Sequence, residues 1–291
     1  MPKICYNFVF RFKIYKFYME NTRKKVLFVC SEMNPFLNTS NISDIARMVP
    51  QAIQENDNEV RIMVPRFGVI NERRNRLHEV VRLSGMNISI DDNDNPLIIK
   101  VASIPGTKMQ VYFLDNEDYF HRKHVFTDEN DEYFADNDER TIFFCKGAIE
   151  TVKKLGWYPD IIHCKGWMTS LIPLYLKTIY KDEPVFRNTR VIYSVFNNEV
   201  HGDLGTDFAR KASLNSISDE ELETFGVGEL TNLHISAMKH ADAVVRCGEA
   251  LHPQVEKHLS ETPEKPVLQH EEEELASKYL NFYDSVLAAG N

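Results

Sequence analysis

Polar side chains that could do chemistry gather first in the stretch VLFVCSEMNPFLNTSNISDIARMVPQAI, residues 26–53. It opens as a buried strand, Val26–Cys30, and closes as a helix whose Ile42, Ile45, Ala46, Val49, Ala52 and Ile53 recur at roughly helical spacing. Between them lie Asn38, Thr39, Ser40 and Asn41, with Asp44 in the first turn of the helix. In an open α/β sheet such a junction receives a phosphate-bearing ligand, because helix N–H groups point at it and glycines let the backbone approach. This loop has no glycine, and the first one in the chain is Gly68. A second group, His163, Cys164 and Trp167, follows a later apolar run, and Asn197 follows another. Both lie at expected strand carboxyl ends, where such sheets bind ligands.

Other reactive patterns are weaker. The spacing in HRKH, 121–124, suits a metal pair, but a metal needs further ligands and Arg122 and Lys123 repel a cation, so a basic surface loop is expected and no metal. There is no Gly-x-Ser-x-Gly elbow, which argues against a serine hydrolase. Cys164 would serve as a nucleophile only beside a base; a buried thiol is the simpler expectation. The acids Asp128, Glu129, Asp136, Asp138 and Glu139 read as a solvated loop with a helix N-cap at Asp136 or Asp138.

Strand patterns fall at 26–30, 59–65, 97–104, 110–114, 161–163, 190–195 and 243–247, and helical patterns at 42–55, 138–154, 168–180 and 228–240. The segment 91–97 reads as a turn. Strands alternating with helices predict an α/β chain built on one Rossmann-like, doubly wound, mainly parallel sheet. The 291 residues suffice for a sizeable core, and a net charge of -9 argues against nucleic acid or an anionic membrane as partner. Five cysteines, an odd number and widely spaced, read as reduced buried thiols of a cytoplasmic protein. Residues 1–18 are basic and aromatic, with Arg11, Lys13 and Lys16 breaking every apolar run; they read as an extension or a mis-assigned start before Met19, with an extra edge strand as the alternative. Two prolines in TPEKPV, 262–267, precede a last amphipathic helix with Leu275, Tyr279, Phe282, Tyr283 and Val286 on one face.

Several blocks in order carry a resemblance: KKVLFVCSEMNPF (24–36), DIARMVPQAIQENDNEVRIMVPRFG (44–68), DENDEYFADNDERTIFFCKGAIE (128–150), PDIIHCKGWMTSLIPLYLK (159–177) and NLHISAMKHADAVVRCGEAL (232–251). From about Lys24 to Leu259 the chain resembles the N-terminal domain of bacterial starch and glycogen synthases, glycosyltransferase family 5. The resemblance implies half of a GT-B fold, two Rossmann-like domains facing a cleft, and an activity that moves glucose from ADP-glucose to an α-1,4-glucan. It implies no cofactor. It divides the chain into the 1–18 extension, a synthase-like Rossmann domain at 19–261, and a linker and C-terminal helix at 262–291 packed on the same domain.

The family's Lys-Thr-Gly-Gly-Leu loop reads Asn38, Thr39, Ser40, Asn41 and Ile42 here, so an ammonium and two glycines are replaced. Its His-x-His-Asp-Trp-His block reads His163, Cys164, Lys165, Gly166, Trp167 and Met168; the histidine that would touch the transferred sugar is Met168, which cannot donate a hydrogen bond. Its Thr-x-His-Asn segment reads Ser194, Val195, Phe196 and Asn197. Asn38, Met168 and Phe196 therefore mark degenerate catalytic positions. Thr39, Asn41, Asp44, His163, Trp167 and Asn197 are the expected sugar or nucleotide contacts. Trp167 and the Tyr119–Phe120 pair suit either stacking on sugar rings or core packing. Losing one catalytic donor typically costs about 2.7–4 kcal/mol of transition-state stabilisation, so several losses remove most of the rate. The resemblance implies a second synthase domain after Leu259, and the residues beyond that point are too few to form one. The expectation is a domain without turnover of its own that binds glucan or protein, the alternative an active α-glucan glucosyltransferase whose donor domain comes from another chain. An exposed second-domain face predicts an apolar patch, hence a protein partner or a homodimer.

Overall fold

The computed structural model describes residues 23–197, 203–213, 217–225 and 228–289. The proposed edge strand within 1–18 lies outside them. Ten strands form the sheet: β1 (Lys25–Cys30), β2 (Glu59–Pro65), β3 (His78–Glu79), β4 (Met86–Ile90), β5 (Asn93–Ser103), β6 (Gln110–Asp115), β7 (Ile161–Lys165), β8 (Arg190–Phe196), β9 (Ala243–Cys247) and β10 (Val267–Gln269). Their order is β10-β9-β8-β7-β1-β2-β6-β5-β3, with β4 paired to β5. The run from β10 to β6 is parallel, and β5 lies antiparallel to β3, β4 and β6. This is the α/β, mainly parallel arrangement expected from alternating strands and helices. The chain leaves β1 toward β2 on one side and returns to β7 on the other, so the switch of direction lies between the carboxyl ends of β1 and β7.

Six principal helices cover the sheet: α1 (Ile42–Glu55), α2 (Asn137–Leu155), α3 (Leu171–Lys177), α4 (Leu230–His240), α5 (Pro253–Glu261) and α6 (Leu275–Ala288). Shorter turns lie between several of them. On one face, α1 packs over β1 and β2 with α6 beside it, and α6 reaches β7 through Tyr283; on the other, α2, α3 and α4 adjoin in sequence. Strand alternation separates the faces. Ser194 of β8 points to the α6 side, whereas Tyr193 places its hydroxyl 2.8 Å from His234 of α4.

Two segments depart from the sequence reading. Residues 91–97 are not all turn: only Asp91 and Asp92 bend the chain, Asp91 at φ 50°, and Asn93–Leu97 already pairs with β4. The helical pattern at 168–180 divides into a 3-10 turn, Trp167–Thr169, and α3, because Gly166 enters it at φ 87°, ψ 154°. Asp136 does hold the N-cap position of α2, without a side-chain capping bond; its carboxylate pairs with Arg122 instead. The four described cysteines are free and buried. Large apolar side chains exposed among the described residues are Val69, Val81, Tyr158 and Val267, with Val267 on edge strand β10 and Val81 beyond β3 at the opposite margin. No described helix is long and apolar enough to cross a membrane.

Candidate functional site

At the carboxyl ends of β1, β7 and β8 a cleft of about 570 Å³ opens. Ser31 and Glu32 enter it from the end of β1, and Thr39, Ser40, Asn41 and Ile42 from the loop into α1. Phe126 and Tyr133 enter from the segment before α2, Trp167 from the turn after β7, and Asn197 from the end of β8. Sequence reading anticipated Thr39, Asn41, Trp167 and Asn197; it missed Glu32, Phe126 and Tyr133. The glutamate stood in the quoted SEMNPF block, but nothing in the one-dimensional spacing shows that its carboxylate turns back onto the next loop.

That turn organises the site. The Thr39 amide donates to Glu32 Oε2 at 2.7 Å, the Thr39 hydroxyl at 2.6 Å and the Ser40 amide at 3.1 Å. The Ser40 hydroxyl bonds the other carboxylate oxygen. Glu32 is only 5% exposed, so these donors compensate a nearly buried charge. The loop N–H groups that could meet a phosphate thus already hold an internal anion. Among the described residues no Lys or Arg lines the cleft. A phosphate entering it would face a carboxylate and no counter-charge; a neutral hydroxyl-rich molecule would find hydroxyl, amide and carboxylate groups beside aromatic rings. The rings of Phe126 and Trp167 lie 5.0 Å apart, which fixes the wall.

The remaining candidates lie elsewhere. Asn38 accepts from the Ser43 hydroxyl at 2.7 Å, holding the loop onto α1, and Asp44 accepts from the Asn34 side-chain amide at 2.8 Å on the surface. Met168 is wholly buried, and its carbonyl accepts from the Cys145 thiol. Phe196 is buried at the end of β8. Neither lines the cleft, and both positions now fill core.

His163 is the largest displacement. Strand β7 continues two residues past it, to Lys165, and both side chains point to the α6 face rather than into the cleft. His163 Nδ1 lies 2.7 Å from the Tyr283 hydroxyl of α6, and its Nε2 lies 2.7 Å from the Ser194 hydroxyl. Its ring stacks on Tyr279. Lys165, also fully buried, has Ser194 Oγ at 3.3 Å and His163 Nε2 at 3.4 Å but, among the described residues, no carboxylate. Burial pushes the Lys165 ammonium below its ordinary pKa, and burial, then the Lys165 charge, pushes His163 well below the ordinary imidazole value. Burial also raises Cys164 well above a normal thiol, so it stays protonated and is no nucleophile.

Gly166 joins the two regions. A Cβ there would stand 2.4 Å from Ser31 Oγ, so only glycine lets the end of β7 approach the end of β1 at this positive φ. His121 of the HRKH segment meets Glu72 and Asp115, but Lys100 already binds both acids, at 2.6 and 2.8 Å, and Arg66 also pairs with Glu72. Two cations in that cluster make it an ion-pair network rather than a metal centre.

Comparison with known proteins accords with this architecture. A glycogen synthase of Chlorobium limicola is 39% identical over 219 residues, covering 75% of this chain and 44% of that protein. The glycogen synthase of Chlorobaculum parvum is 35% identical over 248 residues, 84% of this chain and 49% of that one. The chain thus spans about half the length of the curated relatives it matches. The catalytic domain of Starch Synthase IV from Arabidopsis thaliana, bound to ADP and acarbose, superposes with a TM-score of 0.70 at 18% identity, over 85% of this chain and 51% of that one, a likeness of GT-B fold. The family described as starch synthase catalytic domain matches residues 25–261, and the chain belongs to that family.

Proposed function

We propose that this chain is a synthase-type domain that holds a neutral α-glucan in the cleft and transfers no glucose by itself. The observation that carries the reading is Glu32: its carboxylate takes the loop donors, and among the described residues no cation in the cleft offsets it. Electrostatic stabilisation of a departing nucleoside diphosphate requires the opposite arrangement. Hydroxyls of a glucan can instead bond Thr39, Asn41 and Asn197, with one sugar face on Trp167 or Tyr133. A glucan-holding domain of this kind would act as a binding or regulatory module in glycogen metabolism, in the cytoplasm of a bacterium, consistent with its reduced thiols and its bacterial relatives.

The second reading is an active α-glucan glucosyltransferase completed by a donor domain on another chain. The twofold length of the glycogen synthase relatives favours it. Calorimetric titration with a maltooligosaccharide and separately with ADP-glucose, alongside a glucose-transfer assay, decides between them. The first reading expects maltooligosaccharide binding weakened about tenfold, roughly 1.4 kcal/mol, by the surface substitution Asn197→Ala combined with Asn41→Ala, and neither ADP-glucose binding nor transfer. Transfer by the purified chain would overturn it.

A further inference from the structure

A larger concavity, about 710 Å³, lies away from the cleft, between the turn preceding β3 and the loop after β1. Arg74, Arg76 and His78 form one wall, Asn75 and Ser103 contribute polar groups, and Phe36 contributes an apolar surface flanked by prolines. No acid is among the described lining residues, which is unusual on a chain of net charge -9. Of the two acids that flank the turn, Glu72 is taken by Arg66 and Lys100, and Glu79, which follows His78 on β3, is not among the described lining residues. Among the described residues Arg74 and Arg76 make no ion pair.

The turn is built rather than loose. Asn71 accepts the Arg74 amide at 2.8 Å, the Asn75 side chain donates to the Asn71 carbonyl at 2.9 Å, and the Leu77 amide bonds the Glu72 carbonyl at 2.9 Å. Arg76 sits at φ 54°, ψ 42°, a conformation rare for residues other than glycine, asparagine and aspartate. Phe36 is held edge-on to Phe113 with ring centroids 4.9 Å apart.

We propose that this concavity binds a small phosphomonoester carried on a hydroxylated ring, such as a hexose monophosphate. The guanidinium forks of Arg74 and Arg76 match a phosphate's oxygens, with His78 beside them. Asn75 and Ser103 meet ring hydroxyls, and Phe36 meets the ring's C–H face. The site shares no lining residue with the glucan cleft.

The test is titration of the full chain with a hexose monophosphate, with inorganic phosphate and with the neutral hexose, by calorimetry and by amide NMR. The expected result is hexose monophosphate binding at least tenfold tighter than inorganic phosphate, no binding of the neutral hexose, and shifts at Asn75 and Arg76 but not at the Trp167 indole. Binding should weaken at high salt. Arg74→Ala combined with Arg76→Ala, both exposed positions, should weaken it at least tenfold while leaving the urea midpoint and maltooligosaccharide binding unchanged. Absence of hexose monophosphate binding, equal binding by the double variant, or equal affinity for inorganic phosphate would each overturn the proposal.

Discussion

Glu32 is the acceptor around which the first loop closes. In a glycine-rich loop the backbone amides are left for a ligand; here two of them, with the Thr39 and Ser40 hydroxyls, are spent on one nearly buried carboxylate. Glu32→Ala should lower stability by about 1.5–3 kcal/mol, the range for hydrogen bonds to a charged group, read as a lower urea midpoint at unchanged slope. An unchanged midpoint would show that the loop holds itself. Thr39, Asn41, Trp167 and Asn197 were legible as cleft candidates because each follows the carboxyl end of a strand, a position that apolar runs reveal. His163 was not, because its fate turned on where β7 stops. Two more residues of strand carried it away from the edge, and alternation turned it toward α6.

The C-terminal helix works as a lid over polar core. Tyr279, Tyr283 and Val286 are buried, with Leu275 and Phe282 partly so, matching the apolar stripe in the sequence. Sequence periodicity showed that this helix must pack on something. It did not show that the stripe's phenols would meet His163 and His270, the latter with its Nδ1 2.9 Å from the Tyr279 hydroxyl. Tyr283→Phe keeps the ring but leaves His163 Nδ1 buried without a partner, which should cost about 1–3 kcal/mol in chemical denaturation. Adding His163→Phe removes the orphaned group and should recover part of that loss; a further additive loss would mean the ring contacts, not the bond, hold the helix.

Across the molecule, the same burial makes stability sensitive to acid. His163 and His270 are displaced downward by burial and then by Lys165, and His234 by burial and then by His252; His234 and His270 are held at about 4 against an ordinary 6.5. The unfolded chain takes up protons below about 6.5, whereas the native chain resists until near 4, so this contribution is complete above 6.5 and is lost as pH falls between those values. The urea midpoint should therefore be lower at pH 5 than at pH 7, and a flat profile over that interval would contradict the buried-imidazole geometry. The α/β class, most strand positions, the family and four of the cleft residues followed from the sequence, because hydrophobic periodicity and ordered motif blocks are local properties of the chain. Tertiary structure alone decided that Glu32 satisfies the loop, that Met168 and Phe196 belong to the core, and that His163 and Lys165 lie beneath a helix more than 100 residues away. Those outcomes depend on which strand lies beside which and on which face each side chain takes, and no local pattern encodes either.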